Sequence, residues 1–233
     1  MPEATVLAAL FFGFLLGIKH ALDADHIVAV TTIVSRSGSL LRSAIVGLSW
    51  GLGHTLTLFA AGLAVLVFRL TIPDKLSLGM EFAVGVMLVL LGAPLVWQLL
   101  KKKHHLHMHQ HGESSHIHSH SHEETPEHEH KHIRRPLLMG MIHGLAGSGV
   151  LTLLVLNTMS SVGQGLVFLL VFGVGSILGM VLFSGAIGLP FRFISGRSRQ
   201  LSIWLRGAAG SVSVVLGLVI MWQIAAAGLF LSG

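Results

Sequence analysis

The 233-residue chain has no cysteine and no tyrosine, and only 11% of its residues are charged. Without thiols there are no disulfides and no thiolate metal ligands. So little charge excludes a soluble globular domain, in which about a quarter of the residues are charged. No nucleotide-binding motif is present either. "GLAGSG" from Gly144 is rich in small residues but lacks the lysine that follows in a phosphate loop, so any driving force must be electrochemical or come from another chain. The first apolar run lacks the basic start and small-residue cleavage site of a secretory signal, and it continues through charged residues.

What is present is apolar: 52% hydrophobic residues and a mean hydropathy of +0.78. Long apolar runs cover Ala4 to Val34, Ser43 to Phe68, Leu78 to Leu100, Leu137 to Asn157, Gly163 to Pro190 and Gly207 to Leu231. Each is near or above the roughly 20 residues that a spanning helix needs. The expected fold is an all-α polytopic membrane protein with six transmembrane helices, embedded in the plasma (inner) membrane bilayer. Twelve Lys and Arg residues fall in loops one, three and five, against Arg69 and Lys75 on the other side. Basic loops stay cytoplasmic, so both termini are expected outside and the loop at 101 to 136 in the cytoplasm. The net charge of +5 then reflects topology and gives no reason to expect a nucleic-acid partner.

The chain also reads as a duplication. "GIKHALDA" at Gly17 aligns with "GMIHGLAG" at Gly140, "GLSWGLGHTLTLFAAG" at Gly47 with "GVGSILGMVLFSGAIG" at Gly173, and "EFAVGVMLVLLGAPLVWQ" at Glu81 with "RGAAGSVSVVLGLVIMWQ" at Arg206. Residues 1–100 and 137–233 are thus expected to be two three-helix units. An odd number of crossings inverts the second unit, as in many secondary transporters. Trp97 and Trp222 each end a span, where indole rings sit at membrane interfaces.

Within the first span, "KHALDADHI" carries His20, Asp23, Asp25 and His26. An ionised Asp at the bilayer centre costs about 2.5 to 3.5 kcal/mol on an insertion scale, and Lys19 could neutralise only one. A bound dication would compensate both. On one unbroken helix His20, Asp23 and His26 share a face while Asp25 points away, so all four converge only if the helix is interrupted. The run of about 46 Å, against about 30 Å of hydrocarbon, implies a strong tilt or a break, the latter expected near Ala21 to Ala24. Such a break would aim carbonyl groups at the cation and let Asp23 or Asp25 cap the second half. Outside the central loop the histidines are His20, His26, His54 and His143, all in expected spans. Imidazole plus carboxylate without thiolate suits nickel, cobalt or zinc better than copper(I), magnesium or calcium. Metal ligands are therefore sought among His20, Asp23, Asp25, His26, His54 and His143, with His143 open between ligand and packing residue. In the second unit Ala146, Ser148, Gly149 and Met180 replace Asp23, Asp25, His26 and His54, leaving one site per chain.

His20-x-x-x-x-Asp25-His26, followed by "LGHT" at Leu52, resembles the motifs of the nickel/cobalt transporter family. The short six-span layout with a His-rich centre is similar to that family's urease-accessory type permeases. The resemblance implies high-affinity uptake of Ni2+ or Co2+, with His20, Asp25, His26 and His54 essential, no enzyme cofactor, and as partners cytoplasmic nickel chaperones or urease or hydrogenase maturation proteins. Two other readings are open: an exporter of the same architecture, and an acyltransferase using a His-x4-Asp dyad.

The central loop holds His104, His105, His107, His109, His111, His116, His118, His120, His122, His128, His130 and His132. Too few apolar groups accompany them to build a core, so a disordered accessory metal-binding segment is expected.

Overall fold

The computed structural model describes residues 3–70, 73–101, 107–111, 114–118, 131–144, 161–195 and 197–227. These form helices α1 (Glu3–His20), α2 (Ala24–Val34), α3 (Leu40–Phe68), α4 (Asp74–Leu100), α5 (Lys131–Gly144), α6 (Val162–Ser195) and α7 (Arg199–Ala226), with strands β1 (His107–His111) and β2 (Ser114–His118). The first apolar run is indeed interrupted. α1 stops at His20, and α2 starts after Asp23, whose extended backbone (φ −61°, ψ 145°) occupies the N-cap position. Asp disfavours helix interiors and accommodates such a backbone at a cap.

Of the six expected spans, four are single long helices among the described residues. α3, α4, α6 and α7 are each long and apolar enough to cross a membrane. The break divides the first run into two shorter apolar helices, and only α5, the first part of the expected fourth span, belongs to the described residues. Helix limits also outrun the apolar runs. α5 begins at Lys131 instead of Leu137, α6 continues past Pro190, and α7 begins at Arg199 instead of Gly207, because backbone hydrogen bonding continues through polar residues at a span's edge. The Ser198 side chain caps α7 by accepting from the Leu201 amide at 3.3 Å.

The exterior is apolar, with Phe68, Leu90, Leu182 and Trp222 all more than half exposed, as befits surfaces facing lipid. Trp97 is exposed too, and Lys101 Nζ lies 4.5 Å from its ring centroid, the posture of a lysine reaching for the interface. The interior instead contains small and polar groups such as Ser43, Ser49, Ser176, Ser184 and Ser213. Without a hydrophobic drive between helices in lipid, close backbone approach holds them together. A Cβ at Gly17 would collide with the Phe172 carbonyl, and one at Gly175 with that of Phe14. At the α3–α5 contact, Gly53 stands against the Leu137 carbonyl and Gly140 against that of Trp50. Ser176 adds a hydrogen bond to the Gly17 carbonyl (3.1 Å), and Ser213 one to that of Leu88 (2.8 Å).

These contacts fix directions. α1 runs parallel to α6, with Gly17 near Phe172 and Ser176 and Ala21 near Gly179, and α3 runs parallel to α5. α3 is antiparallel to α6, since Gly51 meets Ile177 and Gly173 meets Thr55; α4 is antiparallel to α7, through Gly85 on Gly217 and Gly92 on Gly210.

In the His-rich segment, β1 and β2 pair antiparallel, with His107 opposite His118 and His109 opposite His116. This differs from the expected disorder. Alternation of histidine with other residues has the period of a strand, and pairing satisfies backbone groups without a core. His132 lies in the first turn of α5; His104, His105, His120, His122, His128 and His130 lie outside the described residues.

Candidate metal centre

The break places three residues, Ala21, Leu22 and Asp23, between α1 and α2. Carbonyls of Gly17, Lys19 and His20 accept amides from Ala21, Leu22 and Asp23 at 3.2, 2.9 and 3.0 Å. The expected aim of these carbonyls at a cation is therefore not needed to satisfy them, and the available donors are side chains.

His20 closes α1, His26 lies in the first turn of α2, His54 is mid-way along α3 and His143 is in the last turn of α5. All four are buried. His26 is at the centre: its ring centroid lies 4.6 Å from that of His20, 5.0 Å from His54 and 4.1 Å from His143. Nε2 of His20 and Nε2 of His54 are 3.0 Å apart. On the other side of His26, Nε2 of His143 lies 3.1 Å from Oδ2 of Asp25. Among the described residues two groups have ligand atoms all within 4.8 Å of one another: His20, His26 and His54, and Asp25, His26 and His143. They share His26.

Asp23 lies in neither group. Its carboxylate makes no cap bond and instead accepts from Nδ1 of His20 at 2.8 Å. That contact holds the proton on Nδ1 and turns the Nε2 lone pair of His20 inward, as carboxylate partners do for metal-binding histidines. Asp25 has a second anchor, its Oδ1 accepting the His26 amide at 2.9 Å.

The donor chemistry fits a first-row dication. Both ring nitrogens of His26, and Nδ1 of His54 and of His143, are buried without a hydrogen-bond partner. Leaving such groups unpaired costs about 1 to 3 kcal/mol each; a cation bound at the one ring nitrogen that carries a lone pair removes that cost at that atom. Two donors about 2.1 Å from a metal at right angles are about 3.0 Å apart, matching the His20–His54 spacing. The proton shared by those two nitrogens would leave as a metal bound.

Two neighbours had no sequence signal of their own. Trp50, fully buried, has its ring 5.7 Å from that of His143 with the planes tilted by 52°, and Phe172 lies 5.5 Å from His20. Trp50 is four residues before His54 on α3, a helical spacing that puts it on the same face, which is the one clue the sequence held.

A helical membrane bundle with a buried histidine and carboxylate centre belongs to the class of membrane proteins that handle transition metals. The comparisons narrow the class: the model of the high-affinity nickel-transport protein family matches residues 6–232, and the chain belongs to that family. A urease accessory protein, UreH, of Bacillus sp. (strain TB-90) is 37% identical over 224 residues, covering 96% of this chain and 95% of the relative. No solved structure matches the chain. The function is membrane transport of nickel or cobalt, as the resemblance implied, and the acyltransferase reading has no support in the family.

Proposed function

We propose that the chain takes up Ni2+, with Co2+ as an alternative cargo and Zn2+ a poorer one, through the centre around His26. The observation that carries this reading is the convergence of His20, Asp25, His26, His54 and His143 from four helices. In this reading Asp23 orients His20. The cargo passes between two overlapping ligand sets by keeping its bond to His26 while exchanging His20 and His54 for Asp25 and His143. Interior-negative potential supplies about 4.6 kcal/mol per 100 mV for a dication, roughly 10³-fold accumulation, so no further fuel is required for uptake. Export would oppose that term. Energised vesicles test the direction: right-side-out vesicles should accumulate radiolabelled nickel when interior-negative, and accumulation confined to everted vesicles would establish the exporter.

We also infer six crossings arranged as an inverted pair of three-helix units, counting α1 with α2 as one broken crossing. Reciprocal contacts support it: Gly17 on Phe172 answers Gly140 on Trp50, and Gly51 on Ile177 answers Gly173 on Thr55. They favour an offset of 122 between α3 and α6, one helical turn from the sequence alignment at 126, so the counterpart of His54 is Ser176 and not Met180. With both termini outside, a cysteine at exposed Asp74 should react with an impermeant thiol reagent in intact cells, and one at exposed Arg199 only after permeabilisation. The reverse pattern would invert the topology. The absence of native cysteine makes the readout clean.

The His-rich loop is a cytoplasmic reservoir in this scheme, from which nickel chaperones or urease or hydrogenase maturation proteins could draw. Deleting residues 104–132 should leave at least about half of nickel uptake while lowering the metal bound per purified chain. Complete loss of uptake in a folded deletion would make the loop part of the pathway.

A further inference from the structure

A cavity of about 410 Å³ opens between α4 and α7. It lies toward the end of the bundle where α4 begins and α7 finishes. Leu78, Glu81 and Val84, spaced by three residues, line it from α4, with Ile220 and Gln223 from α7 and Asp25 from α2. Asp25 is the carboxylate that also belongs to the group with His26 and His143, so the cavity reaches the metal centre itself. Its other side chains with polar ends are Glu81 and Gln223. Glu81 is seven residues into α4, about 10 Å along the helix, where a carboxylate facing lipid would be costly. It is half-buried and lines this cavity instead.

We propose that this cavity is the outer vestibule through which a hydrated divalent cation reaches Asp25, with Glu81 and Gln223 as its recruiting site. A carboxylate and an amide oxygen suit a cation that still carries water, whereas the imidazoles beyond suit one that has shed it. Low-dielectric walls focus the field of a carboxylate and raise the local concentration of a cation. Helix packing does not demand an acid here, because the position aligned with Glu81 in the second unit is Arg206. The proposal rests on the uptake reading above and adds to it a pathway and a residue.

The test uses the full chain in energised right-side-out vesicles. Glu81→Gln should raise the apparent KM for nickel about 5- to 10-fold with Vmax within twofold, the difference shrinking as salt screens the charge; Glu81→Asp should restore most of it. Gln223→Cys, modified from outside with a positively charged impermeant methanethiosulfonate, should lose at least about 90% of uptake, and excess nickel should slow the modification. The same reagent on Asp74→Cys should have no effect on uptake. An unchanged KM in Glu81→Gln, or full uptake after verified modification of Gln223→Cys, overturns the proposal, as does blockage only from the cytoplasmic face. Asp25→Asn separates the two levels. If it transports normally the metal centre is wrong; if it is inactive while the Glu81 and Gln223 variants are silent, the vestibule alone is wrong.

Discussion

Replacing Asp25 by Asn is expected to lower nickel accumulation at least about 100-fold at normal amounts of protein in the membrane, equivalent to about 2.8 kcal/mol of lost stabilisation. The substitution keeps the size of the side chain and an oxygen that can still accept the His26 amide, now 2.9 Å away, so the local fold has little reason to change. It removes the negative charge, and the amide oxygen is a weaker partner for a dication. His143, 3.1 Å from the carboxylate, would lose its anionic neighbour at the same time. His26→Ala should be equally severe, since both ligand groups contain His26. Ser176→Ala, which removes only the 3.1 Å hydrogen bond to the Gly17 carbonyl, should retain most uptake. Accumulation of radiolabelled nickel, normalised to membrane expression, checks all three. Normal accumulation by the Asp25→Asn protein would show that this carboxylate is not part of the path.

Much of this arrangement could be read from residues alone, for physical reasons. Two acids, a lysine and two histidines in one apolar run cannot be a passive span, and a run too long for the bilayer must tilt or break; α1 and α2 divide where those residues cluster. Asp23 was harder to place. Its proximity in sequence to the other candidates suggested a ligand, but the break turns its carboxylate back onto Nδ1 of His20. His143 was equally open, because a lone intramembrane histidine carries no mark of its partner. Only the parallel packing of α5 on α3 brings it to Asp25 and His26. The one-turn difference between the proposed repeat register and the sequence alignment has a similar origin: α3 and α6 both carry several glycines, so alignment by identity has near-equal solutions one turn apart. The cavity at Glu81 was invisible because residues of three separate helices, α2, α4 and α7, line it, and its acid looked like an ordinary end-of-span charge.

The second large effect is expected at Gly53, which carries no metal ligand. α3 and α5 are close enough that a Cβ on Gly53 would strike the Leu137 carbonyl, while a Cβ on Gly140 would strike that of Trp50. The obstacle in each case is backbone, which cannot swing aside as a side chain does. Adding bulk to a packed interior costs about 1 to 3 kcal/mol when neighbours can adjust, and here relief requires moving one helix against the other. Those two helices carry His54 and His143, whose ring centroids lie 6.1 Å from each other and 5.0 and 4.1 Å from that of His26. Separation by even an ångström would spoil the ligand geometry. Gly53→Val should therefore reduce nickel uptake at least about 10-fold and lower the thermal stability of the purified protein, with Gly53→Ala intermediate. Gly79→Ala and Gly185→Ala, where an added Cβ meets nothing within 4 Å, should match the wild type in both measurements. Thermal unfolding in detergent, followed alongside uptake in cells, distinguishes a displaced centre from a protein that fails to accumulate. A Gly53→Val protein with unchanged stability and uptake would mean that α3 and α5 do not meet through this glycine, and the placement of His143 beside Asp25 would lose its structural basis.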